Sequence, residues 1–440
     1  MTKFCLFFTC LLFSLTIISC DKMSSQSSRT EIEARASTAA LNDKQKDKNI
    51  LIGAAWSKSY GDHFLKGIYL ARDEINAAGG LLGKRIELVE VDEQSFNPNI
   101  ATRDNFQLLA YRVAHYFVQN QDIIAVIGHR TSSVAIPASI IYDKYGLIYI
   151  APTATNLMLT RHNFKMTFRG MPDNDAMGEQ IAGFCYYYQK YKKMVILHER
   201  TDYSEELADS FYKNATNFGI SIVYRSSFFP TKQDFREIVA QLKDKKFDAV
   251  FVSGGYSSIG RLIKQMHQML IYTTFIGSDG LNSSEALWKA IADKPGEQLT
   301  EADEKIAKGY AEGVITPATY NEASKTSITL DFIKNFEAAY HTSPDSKAVQ
   351  GYDSLKLLAY AIKKSNSTVP IEVATTLHYM PTSFWVGVSG VHQFTDQGEI
   401  KGKKYYFQQF RNGQFELLEG AHVAYLIEQI KNLAQPKKTH

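Results

Sequence analysis

The sequence predicts an α/β protein in which two parallel-sheet lobes follow one another along the chain. Short, nearly continuous apolar runs such as "NILIGAAW", "IIAVIG" and "LIYIAP" alternate with longer segments of helical spacing. That is the pattern of parallel strands covered on both faces by crossover helices. The alternation pauses at Arg169–Asp175 ("RGMPDND") and resumes with "MVILHE", "DAVFVSGG" and "TTFIGSD". A crossing between two units of similar plan falls at the pause. With 440 residues the chain is long enough for two or three domains.

The elements follow in order. Met1–Cys20 reads "MTKFCLFFTCLLFSLTIISC", with Lys3 ahead of an apolar run from Phe4 to Ile18. The run is short of the about 20 apolar residues of a membrane span and fits a secretory signal peptide. Its end, "TIISC", resembles a bacterial lipobox, which implies cleavage before Cys20 and lipid on its sulfur. Lipid would tether an exported protein to a membrane, and Asp21 implies retention at the inner membrane. Cys5 and Cys10 leave with the signal, so Cys185 stays as a lone thiol. No internal disulfide, thiolate zinc site or redox pair is expected. Residues 21–48 are polar and poor in aromatics. They read as a flexible tether with a reach of roughly 30 Å.

After the tether, "NILIGAAW" predicts a strand. "DHFLKGIYLARDEINAAGG" predicts a helix through Phe64, Ile68, Ala71 and Ile75, ended by Gly79-Gly80. A strand at "RIELVEVDE", a helix near Ile100–Asn120, "IIAVIG", a helix from Val134 and "LIYIAP" complete the first unit. The second unit repeats the plan to "TTFIGSD". Residues 302–361 are mostly helical, and Asp396-Gln397-Gly398 and Asn412-Gly413 turns predict a hairpin-rich finish.

Composition excludes several functions. A formal net charge of +3, with no basic run interleaved with aromatics, gives no basis for nucleic-acid binding. No H-E-x-x-H, no G-x-G-x-x-G after the first strand and no phosphate loop ending in Lys-Ser/Thr occurs. No nucleophile-elbow spacing surrounds the Ser of "GVSGVH". His129, His162, His198 and His267 are scattered. No catalytic residue, metal site or cofactor is expected.

Two hydroxyl clusters stand out: Thr131-Ser132-Ser133 after "IIAVIGHR" and Thr153-Ala154-Thr155 after "LIYIAP". In a parallel sheet, ligands bind beyond the carboxyl ends of the strands. A helix start there favours an anion through its unpaired N–H groups. Spacing alone leaves helix capping and ligand binding equally open. Asp279 in "FIGSDG" and Tyr256 in "SGGY" end two further strands. An anion-favouring helix start facing an acid would suit a zwitterion.

These stretches together resemble a known family. "YGDHFLKGIYLARDEINAAGGLLGKRIELVEVDE", "IGHRTSSVAIPASIIYDKYGLIYIAPTATNLMLT", "SGGYSSIGRLIKQM" and "FIGSDG" resemble, in order and spacing, the leucine/isoleucine/valine-binding family of type I periplasmic solute-binding proteins. The likeness runs from about Asn49 to Gln429. It implies two Rossmann-like lobes joined by three crossing segments, with lobe 1 at 49–170 plus 318–389 and lobe 2 at 171–317 plus 390–433. It implies an ABC transporter receptor, without catalytic activity, that closes on an amino acid and serves a membrane permease. By the resemblance, Ser132 and Thr155 hold the α-carboxylate and Thr153 adds backbone contacts. Tyr256 and Asp279 receive the ammonium from the second lobe, Tyr203 falls at the cleft position on that lobe, and Tyr60 lies against the ligand side chain. Three departures are visible: Ser95 and Thr131 stand near the positions of the family's small disulfide, Arg130 and Asp202 flank the pocket, and Pro295–Lys305 looks inserted. The alternatives are a sensor domain and a hydrolase using a Ser of "RTSS".

Overall fold

In the computed structural model, which describes residues 29–45, 47–96, 103–379 and 384–421, the first five strands form one parallel sheet. They are β1 (Ile50–Trp56), β2 (Ile86–Asp92), β3 (Ile123–Gly128), β4 (Ile148–Ala151) and β5 (Thr167–Arg169), in the order β2-β1-β3-β4-β5. β3 and β4 are buried at every position, as the continuous apolar runs predict. The helices on this lobe begin with α1 (residues 29–43), α2 (Phe64–Ala77), α3 (Glu93–Phe96), α4 (Arg103–Gln119), α5 (Ser132–Lys144) and α6 (Met158–Arg161).

Lobe 2 repeats the order. β6 (Lys193–Glu199), β7 (Ser221–Phe228), β8 (Ala249–Ser253), β9 (Thr274–Gly277) and β10 (Ile315–Ala318) run β7-β6-β8-β9-β10, all parallel. Its helices are α7 (Asn174–Gly183), α8 (Asp202–Phe218), α9 (Arg236–Ala240), α10 (Tyr256–Gln268), α11 (Ser284–Ala292) and α12 (Glu301–Ala311). Each sheet reverses direction at one point, between β1 and β3 and between β6 and β8. A doubly wound sheet opens a crevice at such a switch point.

The chain then returns to lobe 1 as α13 (Ser327–Tyr340), α14 (Ser346–Ser365) and α15 (Pro370–His378). α14 lies close against α2. A Cβ on Gly67 would stand 1.9 Å from the Ala348 carbonyl oxygen, and one on Gly351 would stand 2.3 Å from that of Phe64. This backbone contact needs glycine, and it sets the first turn of α14 beside the cleft. β11 (Trp385–Gly387) and β12 (Gly390–His392) form a separate ribbon. β13 (Tyr406–Arg411) and β14 (Gln414–Leu417) add antiparallel strands to the second sheet. Asn412 (φ 51) and Gly413 (φ 93) make their turn, the left-handed pair a tight hairpin demands.

Arg169 ties the segments between the lobes together. It is fully buried and bonds Glu399 at 2.5–3.1 Å, the Asn156 carbonyl at 2.6 Å and Thr160 Oγ1 at 2.8 Å. Lys403 Nζ donates to the Gly170 carbonyl at 2.9 Å, and Tyr405 Oη donates to that of Pro172 at 3.0 Å. The 170–173 and 401–405 segments are therefore pinned side by side. The boundary expected at residue 390 shifts toward the C-terminus, because Phe394 and Ile400 pack into the lobe 1 core. Phe394 meets Phe168 edge-on with centroids 5.2 Å apart. Ala318 likewise stays in the lobe 2 sheet as the last residue of β10.

The tether expected over residues 21–48 gives way to α1 at 29–43. Arg35 on α1 is 2% exposed. Its guanidinium donates to the carbonyls of Val118 (2.8 Å), Asn120 (3.0 Å), Ile123 (2.6 Å) and Tyr145 (2.9 Å). The carbonyls of Val118, Asn120 and Tyr145 lie at or just past the C-terminal ends of α4 and α5, where helices leave acceptors unsatisfied, and that of Ile123 opens β3. Burial pulls Arg35 down to about 10, with Glu31 and Asp122 opposing. Ala39 joins the lobe 1 core. Ile32, Arg35, Ala36 and Ala39 share one helix face, so a polar segment packs without being apolar overall. Cys20 and the expected signal peptide lie outside the described residues. Among the described residues no helix is long and apolar enough to cross a membrane.

Candidate ligand-binding site

The two switch points face each other across a cavity of about 980 Å³. Lobe 1 lines it with Arg130, Thr131, Ser132, Ser133, Thr153 and Lys347; lobe 2 lines it with Glu199, Tyr203, Gly254, Gly255, Tyr256 and Asp279. Five of the expected site residues, Ser132, Thr153, Tyr203, Tyr256 and Asp279, thus share one cavity. Tyr60 sits in a short turn after β1 (Lys58–Tyr60), between lining residues Ser59 and Gly61, and its side chain lies outside the description. Thr155 does not line the cavity. After Thr153 the chain turns toward the first crossing, where the Thr155 carbonyl accepts from Asn174 N at 2.8 Å. The Thr155 hydroxyl is buried with no protein partner.

On lobe 1 the first hydroxyl cluster opens α5. Gly128 (φ 151) makes this loop possible, since a Cβ there would stand 2.2 Å from the Ala55 carbonyl oxygen. Thr131 is the N-cap residue, but its side chain makes no cap bond, so the helix start keeps open N–H groups. Ser132 Oγ accepts from Asn156 N at 3.2 Å, and Thr153 Oγ1 donates to the Arg130 carbonyl at 2.8 Å. The two loops that carry the clusters are therefore bonded to each other. The second cluster leads only into the four residues of α6, so it offers no long helix start.

Behind the loop lies a buried pair that spacing did not reveal. Glu93 Oε1 and His129 Nδ1 are 2.5 Å apart, and His129 Nε2 is 2.9 Å from Tyr142 Oη. The pair links α3 to the β3–α5 loop. Ser95 and Thr131, which stand near the places of the family's disulfide, do not bond each other; Ser95 Oγ donates to the Asp92 carbonyl at 2.7 Å.

On lobe 2, Asp279 is 2% exposed and opens a short turn after β9 (Asp279–Leu281). Tyr203 Oη donates to Asp279 Oδ1 at 2.7 Å. Burial, and then the Asp279 charge, hold the Tyr203 phenol well above its usual range. Tyr256 is the first residue of α10, and its Oη accepts from Ser283 N at 3.0 Å. Glu199 accepts from Ser258 Oγ at 2.5 Å. Burial raises the Glu199 carboxyl, so its neutral form is favoured relative to water.

Two lobe 1 cations reach across to the turn that carries Asp279. Lys347, in the first turn of α14, is 1% exposed. Its Nζ lies 3.6 Å from Asp279 Oδ2 and 3.4 Å from the Asp279 carbonyl oxygen. Arg130 donates to Asp62 Oδ2 at 2.6 Å and to the Gly280 carbonyl at 3.1 Å. Its guanidinium also lies 5.1 Å from the Tyr256 ring centroid, in cation–π range. Asp62 is fixed in turn by Trp56 Nε1 at 2.9 Å, while Trp56 stacks on Phe64 with centroids 3.7 Å apart. Burial raises Asp62 and lowers Lys347; Arg130 opposes the first shift and Asp279 the second. Arg130 was visible as a flanking residue in the sequence. Lys347 and Asp62 carried no local signal, because their partners are remote in sequence. The segment from Pro295 bounds the cavity mouth with Gly296, Glu297 and Leu299 before α12 begins under a Thr300–Asp303 capping box. Among the described residues no cluster of His, Cys, Asp or Glu could hold a metal ion.

Two doubly wound lobes, strapped together and facing across a polar cleft, define a type I periplasmic solute-binding protein. Residues 54–414 match the family model described as periplasmic binding protein, and the chain belongs to that family, in its leucine/isoleucine/valine-binding branch. It is 26% identical to the amino acid binding protein of Pseudomonas aeruginosa over 84% of this chain and 90% of that one. It is 28% identical to the Leu/Ile/Val-binding protein BraC3 of Rhizobium johnstonii over 72% and 78%. Among solved structures it resembles the branched-chain amino acid transporter substrate-binding protein LivJ of Streptococcus pneumoniae, in complex with isoleucine. The TM-score is 0.72 and the identity 27%, over 84% of this chain and 99% of that one. It also resembles an ABC transporter substrate-binding protein of Desulfitobacterium hafniense, in complex with Leu (TM-score 0.68, 29% identity, 84% and 100% covered). A solute-binding role outside the cytoplasm follows from the family.

Proposed function

We propose that the protein is the membrane-tethered receptor of an ABC transporter, lipidated at Cys20, that captures an amino acid or related small carboxylate by hinge closure. The observation that carries this reading is the shared cavity. One wall holds the hydroxyls and helix start of lobe 1, and the other holds the buried acid and phenols of lobe 2. In this reading Ser132, Thr153 and the first N–H groups of α5 receive the carboxylate. Asp279, Tyr203 and Tyr256 receive the opposite end of the molecule, and Tyr60 lies against its side chain. An ammonium at Asp279 would take the place of Lys347. Ligand gripped from both sides has higher affinity for the closed state and shifts the equilibrium toward it. The complexes of two relatives with isoleucine and with Leu support the amino-acid class.

A thermal-shift and calorimetry screen of amino acids and small carboxylates tests the reading. A ligand at 100 times its dissociation constant adds about 2.7 kcal/mol of stability. Failure of every member of the screen to bind saturably would sink it, as would turnover of a bound amide or ester.

A further inference from the structure

The acid that a ligand ammonium would use already has an ammonium beside it. Lys347 and Asp279 are 1% and 2% exposed, and their charged atoms lie 3.6 Å apart across the cleft. Nothing flexible delivers the lysine. The glycine contact between α2 and α14 holds the start of α14, and the side chain of its N-cap Asp345 accepts from Ala348 N at 2.8 Å. Arg130 reaches the neighbouring Gly280 carbonyl from the same lobe. Of the other acids nearby, Asp62 is taken by Arg130 and by the indole of Trp56, and Glu199, also on the lobe 2 wall, accepts from Ser258 Oγ. Near Asp279 the cleft thus pairs two cations with two acids, and each acid has a protein cation within 4 Å.

A ligand ammonium entering this arrangement meets Lys347 as a like charge at close range, where burial weakens screening. It must displace Lys347 from Asp279 and leave that lysine buried with fewer partners, which is costly. A carboxylate meets the reverse situation. The open N–H groups of α5, the Ser132 and Ser133 hydroxyls and two nearby cations all favour negative charge.

We propose that Lys347 is a specificity-determining residue, a built-in ammonium that makes the cleft prefer carboxylates lacking an α-ammonium over the matching amino acids. This rests on the reading above, that the cleft takes a small carboxylate, and narrows its ligand class to 2-oxo, 2-hydroxy or unsubstituted acids.

The test uses matched pairs on the purified protein by calorimetry: leucine against 4-methyl-2-oxopentanoate, isoleucine against 3-methyl-2-oxopentanoate, and phenylalanine against phenylpyruvate. In the pair whose side chain fits, the amine-free acid is expected to bind at least about tenfold tighter. Lys347→Met, which keeps the aliphatic stem, is expected to reverse that order, and Lys347→Arg to keep it. Tighter binding of the amino acid to the unaltered protein overturns the proposal and leaves the receptor reading standing. An order unchanged in Lys347→Met overturns it too. If Lys347→Met does not fold, the order measured in the unaltered protein decides alone. Absence of saturable binding by either member of every pair overturns the carboxylate reading, and this proposal with it.

Discussion

The two walls of the cleft are built on the same strand order yet carry opposite chemistry around Asp279, while Arg261, Lys289 and Lys294 add cations farther along the lobe 2 side. Lobe 1 presents Arg130, Lys347 and the start of α5, all of them positive or anion-seeking. Lobe 2 presents Asp279, Glu199 and two phenols. The sheets supply position only; the loops at the two switch points supply charge. Complementary walls also attract each other, and here they touch directly through Lys347–Asp279 and Arg130–Gly280. Closure and ligand capture therefore draw on the same charged groups, so each substitution in the cleft affects both.

The largest effect expected from breaking this complementarity comes from Asp279→Ala. It strands Lys347 in a buried site, and about 3 kcal/mol of stability is expected to be lost with no ligand added. Denaturant unfolding measures it. The mirror change on lobe 1, Asp62→Ala, is expected to cost less, because Arg130 keeps the Gly280 carbonyl and the Tyr256 ring. Equal losses would show that the walls are not energetically distinct.

The lobes differ again in that lobe 1 carries α1. Arg35→Met removes four donated bonds to carbonyls. It is expected to cost about 1–3 kcal/mol and to speed amide exchange in residues 29–43 and at the C-terminal ends of α4 and α5. Lobe 2 amides are expected to exchange at their former rate. Uniform acceleration across both lobes would mean that α1 braces the whole molecule.

The effect expected between the lobes is a dependence on pH. Burial lowers Lys403 to about 8, opposed by Asp353, and its Nζ is 2.8 Å from His392 Nε2. The folded state releases this proton before the unfolded state does, so its contribution to stability rises with pH between about 8 and 10.5. The stability difference between the unaltered protein and Lys403→Met should drift in that direction across the window. A flat difference would place the lysine in a solvated setting.

Much of this architecture was legible because it rests on local pattern. "IIAVIG" and "LIYIAP" became fully buried strands, the pause at Arg169–Asp175 became a crossing, and Asn412-Gly413 became a hairpin turn. The hydroxyl clusters pointed to the right end of the first sheet. Thr155 was misread because spacing shows where a residue falls along a loop and not which way the loop turns. α1 was misread because mean polarity hid the face of Ile32, Arg35, Ala36 and Ala39, whose spacing was there to be seen. Lys347 was missed for a different reason. A lysine in the first turn of an amphipathic helix looks solvated until the α2–α14 glycine contact sets it over an acid 68 positions away.

The docking of α1 has a mechanical consequence. On the proposed lipidation at Cys20, the anchor lies nine positions before the start of α1. α1 is fastened to one jaw alone. That jaw would ride close to the bilayer as the stationary half, leaving the other free to swing.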